Sequence, residues 1–171
     1  MSADARALTV LGDIAFLTGS FWPKVNKSGE CWQWMGGKTP NGYGHVNVWT
    51  GNRKTTAATH RVSYELANGE IPNGMEIDHV CHNRGCVKPD HLRVVTHKQN
   101  LENLSGLSAR NTSGFRGVTW SKQAGKWLAR VTHNGRSIFA GSFDDPKEAG
   151  AAAAAKRLEL FTHNDQDRRA A

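Results

Sequence analysis

Residues 78–103 read DHVCHNRGCVKPDHLRVVTHKQNLEN, and the rest of the chain is organised around them. Residues 75–79 alternate apolar and polar side chains as a strand does, and residues 92–95 form a second short apolar run. Thr96 and Gln99 match a T-x-x-Q capping box, which predicts that a helix begins here. The stretch therefore predicts a strand, a loop, a second strand and a helix.

The loop between the two predicted strands has the composition of a zinc site. Cys81, Cys86 and His91 are spaced C-x4-C-x4-H. Structural zinc takes four tetrahedral nitrogen or sulfur ligands. Cys31, the one other cysteine of the chain, would complete a Cys3His set; His82 is the alternative, although a residue directly after a ligand chelates under strain. An odd number of cysteines also argues against a disulfide framework.

This motif set resembles a known family of nucleases. Asp78-His79, the Cys-Cys-His loop and Asn100 are similar to the HNH, or ββα-metal (His-Me finger), nucleases, and the interval between His79 and Asn100 resembles the His-Cys box homing endonucleases. The upstream pattern FWPKVNKSGECWQW…NGYGHV…THRVSYELANGEIPNGMEIDH resembles HNH endonucleases of phage genomes and mobile introns. The resemblance covers residues 21–104. It implies a phage-encoded DNA endonuclease working in the cytoplasm of a bacterial host.

The residue types fit phosphodiester hydrolysis, which needs a base for water and a cation on the phosphate. We expect His79 to be the general base, and Asp78 and Asn100 to hold a single Mg²⁺ through their oxygen atoms. The resemblance makes Arg61 a candidate phosphate clamp, with a structural arginine as the alternative. Asn103 either orients a phosphate or is an exposed helix residue.

A predicted hairpin precedes the metal-type loop. Residues 42–49 alternate at period two, residues 50–52 are turn formers, and residues 53–58 can return as a second strand. A ribbon of this size fits the major groove of DNA, where Arg53 and Lys54 would contact bases or phosphates. An ordinary solvated hairpin is the alternative.

Composition indicates a polyanionic partner. The 171-residue chain carries a net charge of +7, and residues 110–143 contain six Lys or Arg and no Asp or Glu. No apolar run has the length of a membrane span, and residues 1–20 lack the basic start of a signal peptide. Unpaired metal-type cysteines fit a reducing cytoplasm. The modest apolar content predicts two small cores, the first of them stabilised by zinc.

The C-terminal part reads as a small sheet backed by a helix. Residues 105–113 (SGLSARNTS) form a linker. Three strands are predicted, at residues 116–120, 127–133 and 137–143. Asn134-Gly135 is a hairpin dipeptide, and residues 148–161 form an alanine-rich helix.

Residues 112–161 resemble the AP2 DNA-binding domain in the order of their Arg116-Gly117-Val118, Gly125-Lys126-Trp127 and Asn134-Gly135 motifs, followed by the helix. The resemblance implies that the exposed sheet face enters the major groove. The candidate DNA contacts are then Arg116, Trp120, Lys122, Lys126, Arg130 and Arg136, with Trp127 either a contact or a core residue.

The fold class expected is α+β: a zinc-stabilised ββα-metal nuclease domain with a β-hairpin, then a three-stranded antiparallel sheet with one helix. The predicted organisation is an N-terminal extension (1–20), the nuclease domain (21–104), the linker (105–113), the AP2-like domain (114–161) and a tail (162–171), disordered from residue 163.

The function expected is a homing-type DNA endonuclease that uses structural Zn²⁺ and catalytic Mg²⁺ on double-stranded DNA, without a membrane partner. A monomer would nick one strand, whereas a homodimer could cut both. The alternatives are a non-cutting zinc-containing regulator and a phage packaging nuclease of low sequence specificity.

Overall fold

The computed structural model describes residues 19–50, 53–104 and 106–170, with the side chains of residues 49, 50 and 53 left undescribed. Nearly all of the predicted extension (1–20) lies outside the described residues. The chain divides into two compact units, residues 1–100 and 101–171. The division thus falls a few residues before the predicted linker (105–113), because residues 101–104 belong to the second unit.

The first unit is built from antiparallel strand pairs and two helices. Its elements are β1 (Val25–Asn26), β2 (Gln33–Trp34), β3 (His45–Thr50), β4 (Arg53–Ala58), α1 (Thr59–Asn68), β5 (Glu76–His79), β6 (Leu92–Val95) and α2 (His97–Glu102). Short 3-10 helices span Trp22–Lys24 and Pro89–His91. β1 pairs with β2, β3 with β4, and β5 with β6.

The structure confirms the strand, loop, strand and helix predicted around the Cys-His loop. In the β5–β6 hairpin, Asp78 lies opposite Arg93 and His79 opposite Leu92. The capping box is formed as well. The Thr96 backbone N–H donates to Gln99 Oε1 at 2.8 Å, and the Gln99 N–H donates to Thr96 Oγ1 at 3.2 Å. This reciprocal pair satisfies two N–H groups at the start of α2.

Two apolar clusters support the first unit. The larger one consists of the buried side chains Phe21, Trp34, Val48, Val62 and Val87. The smaller one, Ile71, Ile77 and Leu92, lies against Tyr64 of α1. Each fully buried side chain of this size contributes about 1.5–3 kcal/mol. The second cluster holds α1 against the β5–β6 hairpin, which places the start of α1 beside the predicted catalytic strand.

The second unit is a three-stranded antiparallel sheet packed against one long helix, as predicted. Its elements are β7 (Val118–Ser121), β8 (Lys126–His133), β9 (Arg136–Phe143), α3 (Pro146–Leu160) and α4 (Asp165–Ala170). The strand order is β7-β8-β9. The β8–β9 turn has φ of 50° at Asn134 and 73° at Gly135, which is the conformation that an Asn-Gly hairpin turn requires.

Small residues let α3 approach the sheet closely. Val118 and Ala129 of the sheet pack against Ala149 and Ala153 of the helix, and all four are buried. A Cβ at Gly150 would lie 2.5 Å from the Phe115 ring, so only glycine fits there. Asp145 caps the helix by accepting a hydrogen bond from the Lys147 N–H at 2.8 Å.

The predicted disorder of residues 163–171 is wrong for residues 163–170. α4 is held by a bidentate ion pair, with Arg157 Nε 2.6 Å from Asp167 Oδ2 and Arg157 Nη2 2.9 Å from Asp167 Oδ1. Asn103 is buried rather than exposed, and its Oδ1 accepts a hydrogen bond from the Asp165 N–H at 2.9 Å. Within the described ranges, no helix has the length and apolarity needed to cross a bilayer.

Candidate active site and metal centre

The four predicted zinc ligands converge on one point. The ligand atoms of Cys31, Cys81, Cys86 and His91 all lie within 4.8 Å of one another. His91 Nδ1 is 3.7 Å from Cys31 Sγ and 3.6 Å from Cys86 Sγ. A tetrahedral zinc ion with ordinary bond lengths separates a sulfur from a nitrogen ligand by about 3.6 Å. The donor set and its spacing therefore fit Zn²⁺, and the fourth member is Cys31 rather than His82.

Backbone hydrogen bonds bring the distant cysteine to this loop. Cys31 lies between β1 and β2, sixty residues before His91. The Trp34 N–H donates to the Gly85 carbonyl at 3.0 Å, and the Val87 N–H donates to the Trp32 carbonyl at 2.8 Å. These bonds join the β1–β2 segment to the Cys81–Cys86 loop edge to edge. The cluster is thus assembled by the pairing of two segments that lie about fifty residues apart in the sequence. Sequence spacing alone does not reveal such pairing.

The thiols perturb one another. Burial raises the pKa of Cys31. A hydrogen bond donated to Cys86 raises the pKa of the Cys81 thiol, and the same bond lowers the pKa of Cys86. Of the three thiols, Cys86 is therefore the one that loses its proton most readily. A divalent cation at the centre of the cluster would favour all three thiolates instead.

His79 is fixed to the same loop. It is 5% exposed, and its Nε2 lies 3.0 Å from the carbonyl oxygen of Cys86. Because a carbonyl oxygen can only accept, Nε2 carries the proton and Nδ1 keeps the lone pair. Burial lowers the pKa of His79. The imidazole is therefore neutral near pH 7, with a basic nitrogen left for chemistry.

Two aromatic residues that the sequence analysis missed surround His79. The His60 ring centroid lies 4.9 Å from that of His79, and the Tyr43 centroid lies 5.3 Å from His60 and 6.0 Å from His79. Burial, with smaller contributions from His79 and Arg61, lowers the pKa of His60 to about 3. His60 is thus an uncharged neighbour of His79. The adjacent pair His60-Arg61 in the sequence was the available signal.

The predicted Mg²⁺ ligands lie on β5 and α2, but with partners that the sequence did not indicate. Asp78 is buried, and its Oδ2 accepts from Arg93 Nη2 at 2.8 Å and from Arg93 Nε at 3.0 Å. Asn100 donates from Nδ2 to Glu76 Oε2. Asn100 thus contacts the beginning of β5, whereas His79 ends that strand. Residues 76 and 78 share one face of the strand and residue 79 takes the other.

Arg61 lies near the Asn100 side of the hairpin. Its Nη1 donates to the Met75 carbonyl at 3.4 Å, and its charge contributes to lowering the pKa of Glu76. The weak, nearly limiting hydrogen bond leaves most of the guanidinium donors of Arg61 for other acceptors. Its position is thus compatible with either of the predicted roles, phosphate clamp or structural arginine.

A basic cleft lies beside the β3–β4 hairpin of the first unit. It has a volume of about 450 Å³, and its wall includes Lys24, Lys54, His45, Asn47 and Trp34, with no acidic residue. Lys54 was predicted to contact DNA, and Lys24 was not singled out. The Arg53 side chain lies outside the described residues.

In the second unit, Arg130 is exposed on the sheet face opposite α3. Its guanidinium carbon lies 5.4 Å from the Phe139 ring centroid, and Phe139 is 53% exposed. Lys126 forms an ion pair with Asp144 at 3.0 Å. Lys122 and Arg136 are exposed at the two turns. Arg130 thus lies over an exposed aromatic ring, a combination found in many nucleic-acid interfaces.

Two predicted DNA contacts have other surroundings. The Arg116 guanidinium donates to the carbonyls of Leu101, Glu102 and Leu104 at 3.1, 3.2 and 2.7 Å, so three of its N–H groups are used within the fold. Trp120 lies opposite Trp127, with ring centroids 5.1 Å apart. Trp127 packs with the helix-side core, which places Trp120 on the helix side of the sheet as well.

Comparison with known proteins agrees with the geometry of the first unit. Residues 57–102 match the family model described as HNH endonuclease. This segment of the chain is therefore similar to HNH endonucleases. It includes α1, the β5–β6 hairpin and α2, and with them Arg61, Asp78, His79 and Asn100. The match ends before the three-stranded sheet, so it says nothing about the AP2-like resemblance.

Several small phage proteins are similar to the chain. Protein 3.8 of Escherichia phage T7 is 39% identical over 77 residues, which are 45% of this chain and 63% of that protein. Protein 2.8 of the same phage is 34% identical over 93 residues, 54% of this chain and 60% of that protein. Protein 7.7 is 35% identical over 75 residues, 44% and 55% respectively. The chain thus spans less than two thirds of each relative. No solved structure matches it.

Proposed function

We propose that the protein is a DNA endonuclease of the homing type in which His79 is the general base. One observation carries the proposal. Within the segment that matches the HNH endonucleases, His79 is buried and neutral, and the Cys86 carbonyl fixes its tautomer. A histidine held in this way has one nitrogen ready to accept a proton from water.

The residues divide the work of hydrolysis. His79 Nδ1 removes a proton from the attacking water, with the ring held in place by Cys86 on one side and by His60 and Tyr43 on the other. Asn100 and Asp78 would hold Mg²⁺ through oxygen atoms. When bound, Mg²⁺ supplies charge stabilisation to the phosphate and to the leaving oxygen. Arg61 would bind a neighbouring phosphate.

The Cys3His cluster is proposed as a structural zinc site. Four protein ligands close the tetrahedron and leave no position for substrate, as in structural rather than catalytic zinc sites. Cys86 contributes a ligand sulfur, and its carbonyl oxygen orients His79. Zinc would thereby fix the tautomer and direction of the catalytic imidazole.

Two basic surfaces would bind double-stranded DNA. The cleft with Lys24 and Lys54 lies in the first unit, and the face with Arg130 and Phe139 lies in the second. The net charge of +7 supports a phosphate-rich partner. The AP2-like unit would supply affinity and some choice of site. A monomer would nick, whereas a homodimer would cut both strands.

A phage nuclease of low sequence specificity is the second candidate. It is favoured by the hydrogen bonds of Arg116 to three backbone carbonyls, which leave the second unit with fewer arginines for reading bases. The similarity to proteins of phage T7 fits only the phage origin that this candidate shares with the first. Arginine is the side chain that most often reads guanine in the major groove.

Incubation with supercoiled plasmid tests the proposal. We expect relaxation or linearisation with Mg²⁺ and none with EDTA. A protein that binds the plasmid and leaves it intact at every Mg²⁺ concentration would contradict nuclease function and favour a regulator. Mapping the cuts on one long natural DNA then separates the two nuclease candidates, because a homing enzyme gives a few discrete sites and a low-specificity enzyme gives a smear.

A further inference from the structure

Glu76 begins the strand that ends in His79, and nothing in its sequence context indicates a role. Its Oε2 accepts a hydrogen bond from Asn100 Nδ2, and its Oε1 accepts from His97 Nδ1 at 2.7 Å. We propose that Glu76 is a positioning residue that orients the Asn100 amide toward the catalytic Mg²⁺. The inference rests on the proposed nuclease function and names a part of that site.

The two ends of the Asn100 side-chain amide differ in their chemistry. The nitrogen of an asparagine side chain can only donate hydrogen bonds, whereas its oxygen can accept them or bind a hard cation. A carboxylate can only accept. The Glu76 contact must therefore use Nδ2, which turns Oδ1 of Asn100 away from Glu76. Without this partner, the amide could rotate by half a turn and present nitrogen to the metal.

Glu76 is itself well held. Its pKa is lowered, first by the hydrogen bond from Asn100 and then by the one from His97, so it is ionised near neutral pH. Its backbone pairs with Val95 at the end of the hairpin that leads into α2. The carboxylate thus spans from β5 to two residues of α2, and it fixes the amide on the helix relative to the strand that carries Asp78.

A direct metal-ligand role for Glu76 fits less well. Each of its oxygens already accepts a hydrogen bond, so a bound Mg²⁺ would have to share an oxygen with one of these donors. A residue that orients a ligand usually contributes ten- to hundredfold to metal affinity or activity, about the range expected here.

The test compares full-length Glu76→Ala, Glu76→Gln and His97→Ala with the unmodified protein. The readouts are the plasmid cleavage rate as a function of Mg²⁺ concentration and the Mg²⁺ affinity of the protein without DNA, measured by titration calorimetry. We expect Glu76→Ala to raise the half-maximal Mg²⁺ concentration about tenfold or more. Glu76→Gln keeps an oxygen that accepts from Asn100, so it should stay within about threefold of the unmodified protein. His97→Ala removes the other partner and should behave like Glu76→Gln.

A structural role and a ligand role give different results. If Glu76 were a metal ligand, Glu76→Gln would be as impaired as Glu76→Ala. If it were only structural, Glu76→Ala would lose zinc and thermal stability without a shift in its Mg²⁺ requirement. Either pattern overturns the inference while the nuclease proposal stands, provided that the unmodified protein cleaves and Asn100→Ala does not.

A compensating pair keeps the inference testable if Glu76→Ala does not fold. Asn100→Asp places a carboxylate against Glu76, and like charges there should reduce cleavage. Adding Glu76→Gln supplies an amide donor to the new carboxylate. We expect the double variant to cleave at least about tenfold faster than Asn100→Asp alone, within the range seen for residues that orient metal ligands. Equal rates would overturn the inference, and no cleavage by the unmodified protein would instead remove the nuclease proposal on which it rests.

Discussion

The two units of the molecule are stabilised in different ways. The first unit contains strand pairs of two strands each, and its ligand cluster gathers residues from Cys31 to His91. The second unit is a sheet of three consecutive strands under one helix, with a core of small apolar side chains. An isolated two-stranded hairpin is marginally stable in water, whereas three strands packed on a helix can be stable alone. The comparison teaches that, with the proposed zinc site, the geometry of His79 would depend on a metal, whereas the geometry of the three-stranded sheet would not.

The largest expected effect comes from removing a zinc ligand. Cys86→Ser should abolish zinc binding and unfold the first unit, because binding free energy at structural zinc sites is folding free energy, on the order of 10 kcal/mol. Hydrogen exchange should show loss of protection across residues 21–100 and retained protection in β7, β8, β9 and α3. Zinc content is measured on the same sample.

His82→Asn is the matched control for that experiment. His82 directly follows a ligand and has a left-handed backbone with φ of 56°, which asparagine tolerates. It should keep one zinc per chain and full protection. Equal loss of protection in both units of Cys86→Ser would show that the second unit is not independent of the metal.

The second effect should be confined to the other unit. Arg157→Met leaves the Asp167 carboxylate with Asn164 as its remaining partner and removes the hydrogen bond from Arg157 to the Arg116 carbonyl. Breaking a largely buried ion pair in this way costs up to about 3–5 kcal/mol. Lys156→Met removes the neighbouring but more exposed pair with Glu159 and should cost less than about 1 kcal/mol. Denaturant unfolding measures both variants. A normal zinc content in Arg157→Met would show that the loss is confined to the second unit. A stability equal to that of Lys156→Met would contradict the importance of the Arg157–Asp167 pair.

The third effect is a dependence of the stability of the first unit on pH. The pKa of His60 is lowered from 6.5 to about 3 in the folded protein, so between these values the unfolded chain binds more protons. Stability must then fall as pH drops below 6.5, by at most about 1.4 kcal/mol per pH unit. In His60→Gln this contribution disappears. The free energy of unfolding of both proteins is measured at pH 7.5 and pH 5. Between these values the unmodified protein should lose about 2 kcal/mol more than the variant. Equal losses would show that His60 is charged when folded.

The smallest expected effect concerns DNA affinity. Arg130→Ala should weaken binding several-fold and reduce the slope of log affinity against log salt concentration by about 1, as for the loss of one phosphate contact. Lys147→Ala, on exposed α3, is the control and should change neither. Binding is measured by titration at several salt concentrations. If Lys147→Ala had the larger effect, the helix and not the sheet would face DNA.

Much of the fold could be predicted because its signals are local. The Thr96–Gln99 capping box and the Asn134-Gly135 turn are set by residues a few positions apart, and the structure contains both. The Cys-His spacing also pointed to the observed cluster, since three of its four members lie within eleven residues. The three strands and the helix of the second unit follow in the same way from the spacing of apolar and turn residues and from the alanine-rich composition of the helix.

The remaining features depend on contacts that sequence spacing does not encode. Arg116 reads as a DNA contact in its motif, yet three backbone carbonyls surround its guanidinium. Residues 163–170 are polar and read as a free tail, but the buried pair of Arg157 and Asp167 fixes them. Glu76 looks like an ordinary strand residue until its hydrogen bond to Asn100 is visible. In each case a polar side chain has a partner distant in sequence.

The most direct test of the central claim is plasmid cleavage by His79→Ala. The account predicts a loss of about 10²–10⁴-fold in rate with Mg²⁺ present, the range for removing a general base, with unchanged zinc content and unchanged DNA affinity. A variant that retains zinc and cleaves at the rate of the unmodified protein would contradict the assignment of His79 as the base.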